Sequence, residues 1–510
     1  MSARYMVTTP IYYVNGSPHI GHAYTSIAAD VIARFKRLDG LKVFFLTGTD
    51  EHGQKVEQAA SSHHIAPQAL ADKISQAFRD TADKLNISYD HFIRTTDTNH
   101  KQGAQALWKK VAESGNIYLG AYEGWYALRD ECFYTEDELT TQPDGKKIAP
   151  TGAEVEWVKE PSYFFRLSQW QDKLLSLYEN NPHFIGPESR KNEIINFVKS
   201  GLKDLSISRT SFQWGIPVPG DENHVMYVWF DALANYISAL GYPESQSDLW
   251  AFWPANLHLV GKEIARFHAV YWPAFLMAAG IELPARIYSH GWWTVEGEKM
   301  SKSVGNVINP SDLVDEFGLD AVRFFLMREI PFGGDGNFSR ESLIRRMNVE
   351  LANDLGNLAQ RTLSLIARHC EGKLPRQDEH TVEDKALLSQ AHALLGQARI
   401  FIDAQQFHEI LEKIWQVIRA CNAYIDAQAP WALKKTDLSR METVLRVLTD
   451  TLRVIGTLLL PFMPDTMGKL LTQLGIPKGE YSFASLATPL PEGTILPPPQ
   501  GVFPRYQPAA

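Results

Sequence analysis

Two histidines in "GSPHIGH", His19 and His22, stand three residues apart with Gly21 between them. That spacing puts both imidazoles on one face of a helix. The apolar run "YMVTTPIYYV" precedes them and an amphipathic pattern follows, so the pair falls where a strand turns into a helix. Ser17 reads as the N-cap and Pro18 as the first helical residue, where a missing N–H costs nothing. A helix start offers N–H groups and the positive end of its dipole to an anion. Gly16 and Gly21 leave room for a ligand to come close to backbone. Imidazole donors at such a start suit phosphate oxygens, above all where charge builds up in a transition state. A structural histidine pair and a metal site are the other two readings. Helical zinc sites space their histidines four apart and need further ligands.

Far downstream, "EKMSKS" (298–303) sets Lys299 and Lys302 among small residues in a turn. A loop of this kind could close over a triphosphate and neutralise a departing pyrophosphate. Alone it reads as a solvated basic turn. Together with a phosphate-type helix start it reads as the other half of one site.

These groups must be held by a sizeable scaffold. A chain of 510 residues exceeds one ordinary core, and about two to four domains are expected. Hydrophobic content of 45% and charged content of 21% are those of a globular protein. No apolar run reaches the roughly 18 to 20 residues of a membrane helix. "MSARYMVTTP" enters structure at once without a leader-like segment, so a cytoplasmic protein is expected. Cys132, Cys370 and Cys421 form no C-x-x-C pair, which gives no sign of disulfides or a cysteine zinc site. The net charge is −9, and the acidic excess lies wholly before Arg346. The last third is therefore permissive for a polyanion.

Strand, helix and strand follow closely in "YMVTTPIYYV", "AYTSIAADVIARFKRLDG" and "LKVFFLTGTDEHG", with Gly40 as helix stop. This predicts a parallel α/β sheet of Rossmann-like type. Residues 1–116 form its first half, 117–219 an inserted small domain and 220–290 its second half. Residues 291–345 are a link carrying the lysine loop, and 346–478 an all-α helix bundle by period. The Pro-rich stretch 479–510 is an extended tail, disordered or laid against the body. No internal repeat is found.

The two motifs "HIGH" (19–22) and "KMSKS" (299–303) resemble the signatures of class I aminoacyl-tRNA synthetases. The segments "TTPIYYVNGSPHIGHAYT", "FLTGTDEHGQKV", "YVWFDALANY", "GKEIARFHAVYWPA", "HGWWTVEGEKMSKS" and "NAYIDAQAPW" resemble the methionyl family within that class. The likeness runs in order from about residue 5 to about 475. It implies activation of L-methionine by ATP and transfer to the 3′ end of methionine tRNA, initiator and elongator alike. His19, Gly21, His22 and Lys302 would bind ATP, His19, His22, Lys299 and Lys302 would act in catalysis, and Mg²⁺ would arrive with the nucleotide. Asp50 would hold the substrate ammonium. Ile11, Tyr13, Trp229, Ala232, Tyr236, Ile264, His268 and Trp272 would line the thioether pocket, where sulfur meets ring edges.

The likeness also implies that Asn357, Arg361, Pro430 and Trp431 face the anticodon. Trp can stack on an unpaired base and Asn and Arg can bond its edges. Without the likeness, Trp431 reads as bundle core. Some methionyl enzymes carry zinc knuckles in the insertion, but this one holds only Cys132, so no structural zinc is expected. No inserted segment is large enough for an editing domain. A monomer is expected. Rival readings are another class I synthetase, a small-molecule nucleotidyltransferase with a similar His-x-Gly-His turn, and a non-catalytic RNA-binding paralogue.

Overall fold

The structure is a computed structural model that describes residues 3–244, 246–295, 297–300 and 306–507. Its centre is a seven-stranded parallel sheet. The strands are β1 (Arg4–Thr8), β2 (Tyr12–Tyr13), β3 (Lys42–Asp50), β4 (His91–Arg94), β5 (Ile185–Gly186), β6 (Leu257–Gly261) and β7 (Ile287–His290). The order across the sheet is β5-β7-β6-β1-β3-β2, with β4 also on β3. From β1 the chain first builds outward through β3 and later returns to build outward through β6 and β7. The order therefore reverses between β1 and β6, and a crevice opens at their carboxyl ends.

Helix α1 (Ile20–Leu38) covers one face, burying Ile27, Val31, Ile32 and Phe35 as the period predicts. It stops before Gly40, whose φ of +86° suits glycine alone without strain. The run "YMVTTPIYYV" is not one strand but two, β1 and β2, because Thr9 and Pro10 interrupt it and β2 pairs at the far end of β3. Pro10 has no N–H to donate to a ladder.

The insertion is built on a long antiparallel ribbon, Ile117–Ala127 against Glu156–Phe165. Within the segment 117–219, the strand β5 returns to pair with β7 of the central sheet, so the chain re-enters the main body well before residue 219.

Beyond the lysine loop come α2 (Pro310–Phe317) and α3 (Leu319–Arg328). The helices of the bundle follow: α4 (Asn357–His369), α5 (Val382–Asp403), α6 (Phe407–Gln428) and α7 (Leu438–Leu459). One buried guanidinium joins bundle and sheet layer. Arg323 of α3 donates to Asp30 of α1 at 2.6 Å, to Leu85 O, and to the carbonyls of Pro461 and Phe462. Burial disfavours the charge of Asp30, but Arg323 and Arg34 outweigh it and hold the carboxyl below its ordinary range. Losing either partner would strand a buried charge.

The Pro-rich tail is laid against the body. Leu374 and Leu496 exchange backbone bonds with Thr494 and Gly372, and Phe483 N–H donates to Leu38 O at 3.0 Å. Among the described residues no helix is long and apolar enough to cross a membrane.

Candidate active site

The crevice holds a cavity of about 460 Å³. The link after β1 brings Ile11 to it, β2 brings Tyr13, and the start of α1 brings His19, Gly21 and His22. The ends of β6 and β7 bring Glu263, Ile264, His290 and Trp292.

The helix start differs from the Ser17–Pro18 cap expected above. Helix α1 begins at Ile20, and His19 is its N-cap, with extended φ −137° and ψ 173°. His19 Nδ1 accepts from Gly21 N–H at 3.1 Å, and His22 Nδ1 accepts from His19 N–H at 3.2 Å. The rings stack with centroids 3.7 Å apart. An imidazole thus does the work of the usual hydroxyl, so the turn through Ser17 and Pro18 stays outside the helix. With Nδ1 accepting on both rings, the ring N–H of each is at Nε2, the kind of donor that a phosphate oxygen takes. Gly21 has a second reason to be glycine: a Cβ there would lie 2.9 Å from His19 Cε1. Ile20 N–H donates to Ile308 O at 3.0 Å, which ties the helix start to the segment after the lysine loop. Lys299 lies in the short strand Glu298–Lys299, and Lys302 is outside the described residues.

Four of the expected thioether residues, Ile11, Tyr13, Trp229 and Ile264, line the same cavity as the histidines. Tyr13 meets Trp229 edge-on, with centroids 6.4 Å apart. The other four, Ala232, Tyr236, His268 and Trp272, are buried and do not line it; the rings of Tyr236, His268 and Trp272 pack as an aromatic layer. Trp229 joins the two sets, with His268 at 6.0 Å. His268 Nδ1–H donates to Ile264 O at 3.0 Å while Nε2 accepts from Tyr236 O–H at 2.7 Å. Burial pushes the His268 pKa down to about 4, so the ring is neutral.

Asp50 ends β3. Its Oδ1 is buried with no hydrogen-bond partner in the structure. Burial, then Asp231, Glu131 and Glu51, push its carboxyl well above the ordinary range. Such a group gains most from an incoming cation. Two of these neighbours are committed elsewhere. Glu51 takes a two-pronged bond from Arg94, at 2.6 and 2.9 Å. Asp231 holds His52 Nδ1 and His100 Nε2, each at 2.7 Å.

Sequence reasoning missed the His52–Asp231–His100 network and the cavity residues Glu263, His290 and Trp292. A signal for the latter existed. "GKEI" and "HGWW" follow apolar strands, and ligands of α/β sheets gather at such carboxyl ends. His290 is neutral by burial, its Nδ1–H donating to Gly291 O and its Nε2 accepting from Thr25 Oγ1–H at 2.6 Å.

In the bundle, Asn357 and Arg361 lie one turn apart on α4. The Arg361 guanidinium stands over Trp431, which is 42% exposed rather than core. Pro430 is buried at the first position of the helix that carries Trp431.

A histidine-capped helix start at the strand-order reversal, followed along the chain by a helix bundle, is the arrangement expected of a class I tRNA synthetase. The family model "tRNA synthetases class I (M)" matches residues 5–363, and "Anticodon binding domain of methionyl tRNA ligase" matches residues 374–508. The chain belongs to the methionyl-tRNA synthetase family. It is 57% identical over 504 residues to the methionine–tRNA ligase of Brucella suis, covering 99% of this chain and 98% of that one. It is 56% identical over 512 residues to that of Rickettsia bellii, covering 99% and 100%. Methionyl-tRNA synthetase of Mycobacterium tuberculosis with methionyl-adenylate superposes with a TM-score of 0.97 at 51% identity, covering 99% of this chain and 100% of that one. The apo form from that organism gives 0.91 at 48% identity, covering 100% and 99%.

Proposed function

We infer that the chain is a methionine–tRNA ligase, activating L-methionine with ATP and esterifying the 3′ end of methionine tRNA, initiator and elongator. The observation that carries this reading is that one cavity is lined by both the two imidazoles and the Tyr13–Trp229 corner. Phosphate chemistry and an apolar side chain are thereby brought together.

In the first step the methionine carboxylate attacks the α-phosphate in line and pyrophosphate leaves. The substrate carboxylate is already ionised, so positioning and charge stabilisation do the catalysis. His19 and His22 donate to phosphate oxygens, Lys299 and Lys302 take up charge on the leaving group, and Asp50 holds the ammonium. Mg²⁺ accompanies the ATP phosphates, as it commonly does. Among the described residues no group of three His, Cys, Asp or Glu side chains could hold a metal. Asn357, Arg361, Pro430 and Trp431 read the anticodon. The enzyme acts as a cytoplasmic monomer, without structural zinc.

The test is ATP–pyrophosphate exchange with each standard amino acid, repeated with His19→Ala and Lys302→Ala. Stimulation by methionine alone, lost in both variants, is expected. Exchange that persists in both would overturn the site.

A further inference from the structure

Trp292 stands just past the end of β7, and its indole Nε1–H donates to Glu263 Oε2 at 2.7 Å. Both residues line the cavity. The backbone of Trp292 is fixed separately, since its N–H donates to Asp335 Oδ1 at 2.8 Å. Asp335 in turn takes the Lys262 ammonium on both oxygens, at 2.6 and 2.8 Å. The same ammonium lies 4.1 Å from the centroid of the Trp292 ring. So the indole is held at its backbone and on one face, and what it holds is a carboxylate.

That carboxylate sits just beyond the carboxyl end of β6, where acidic side chains of nucleotide-binding sheets meet the vicinal hydroxyls of a ribose. A carboxylate has two oxygens and several acceptor directions, and one donor on Oε2 fixes its plane without using up Oε1. Gly261 keeps this arrangement possible, because a Cβ there would fall 2.5 Å from a Glu263 carboxylate oxygen. Trp292 also leads into the strand Trp293–Val295, whose Thr294 and Val295 pair with Lys299 and Glu298. The group that orients Glu263 is therefore covalently continuous with the hairpin that carries the first lysine of the loop.

We propose that Trp292 is a positioning residue for ATP, its indole N–H setting Glu263 to receive the ribose hydroxyls. This rests on the methionine–tRNA ligase reading above.

The test crosses a residue change with a ligand change. Trp292→Phe keeps a ring and removes the N–H, and 2′,3′-dideoxy-ATP removes the hydroxyls. In ATP–pyrophosphate exchange Trp292→Phe should raise the KM for ATP by about three- to tenfold, the scale of one ordinary hydrogen bond, since the lost N–H acts on the ribose only through Glu263. The KM for dideoxy-ATP should be the same in both proteins. An equal rise for both nucleotides makes Trp292 merely structural and overturns the proposal, as does no rise for either. If the unsubstituted chain shows no methionine-dependent exchange, it is the ligase reading that fails. Normal exchange without the ribose-dependent penalty removes this inference alone.

Discussion

The Arg361 guanidinium lies 5.3 Å from the centroid of the Trp431 ring and donates to Asp426 Oδ1 at 2.5 Å. A cation and an exposed indole presented together suit an unpaired base, which stacks on one and bonds the other. Trp431→Ala should lower the kcat/KM for tRNA charging by about ten- to a hundredfold, as for one lost stacking contact. ATP–pyrophosphate exchange should stay near normal. Loss of both activities together would show that Trp431 serves folding.

At the catalytic end, Gly21→Ala tests the imidazole cap. The added Cβ would press on the His19 ring, which must turn away and give up its bond to Gly21 N–H. Exchange should fall by about tenfold or more, since donors aimed at developing charge count for most. Helix content by circular dichroism should stay constant. An unchanged rate would mean that the orientation of His19 is irrelevant.

Trp229→Ala removes the wall shared by Tyr13 and the buried aromatic layer. The KM for methionine should rise about ten- to a hundredfold, the scale of one large side chain's burial, with far less effect on ATP. Equal effects on the two substrates would count against the pocket. Norleucine should compete well in the unsubstituted enzyme, because apolar pockets discriminate similar side chains by only about 1–3 kcal/mol.

His268 makes stability depend on pH. Its pKa is lowered from the ordinary 6.5 to about 4, so the folded protein binds fewer protons than the unfolded chain between these values. Its contribution is complete above pH 6.5 and is lost as the pH falls towards 4. Tyr236→Phe leaves Nε2 without its donor and should cost about 1–2 kcal/mol at neutral pH, read from denaturant unfolding. A His268→Gln variant should lose less stability than the parent over the same acid range.

The insertion should be free of zinc. Burial pushes the Cys132 thiol up to about 11, away from the thiolate a metal would need. Ala127, Ala149, Ala153 and Val155 pack into a small apolar core there. Elemental analysis of the purified protein should find no stoichiometric zinc; a one-to-one content would contradict this.

The parallel sheet and bundle were legible because their apolar residues repeat with the strand and helix periods, as in Ile27, Val31, Phe35 and Leu38. The histidine cap was not, since capping rules rest on Ser, Thr, Asp and Asn. Nor were two wide π-turns, Phe267–Tyr271 around His268 and Met347–Gly356 just before Asn357, which the 3.6-residue period reads as plain helix. The aromatic residues of the methionine motifs were recognisable as a set. Their division into a cavity wall and a buried layer depends on tertiary packing that no spacing encodes.

The tail has a consequence for the order in which the molecule is made. Phe483 packs its ring 4.7 Å from Phe35 and closes a backbone bond to Leu38, so α1 gains its last contacts from chain synthesised far later. Arg399 and Asp403 likewise pair with Asp39 and Lys36 at its end. A nascent chain can pair β1 with β3 early on the ribosome, yet α1 keeps an uncovered apolar edge until residue 483 has emerged. Contacts so remote in sequence form slowly, and the half-covered species is the one most open to aggregation and to chaperones.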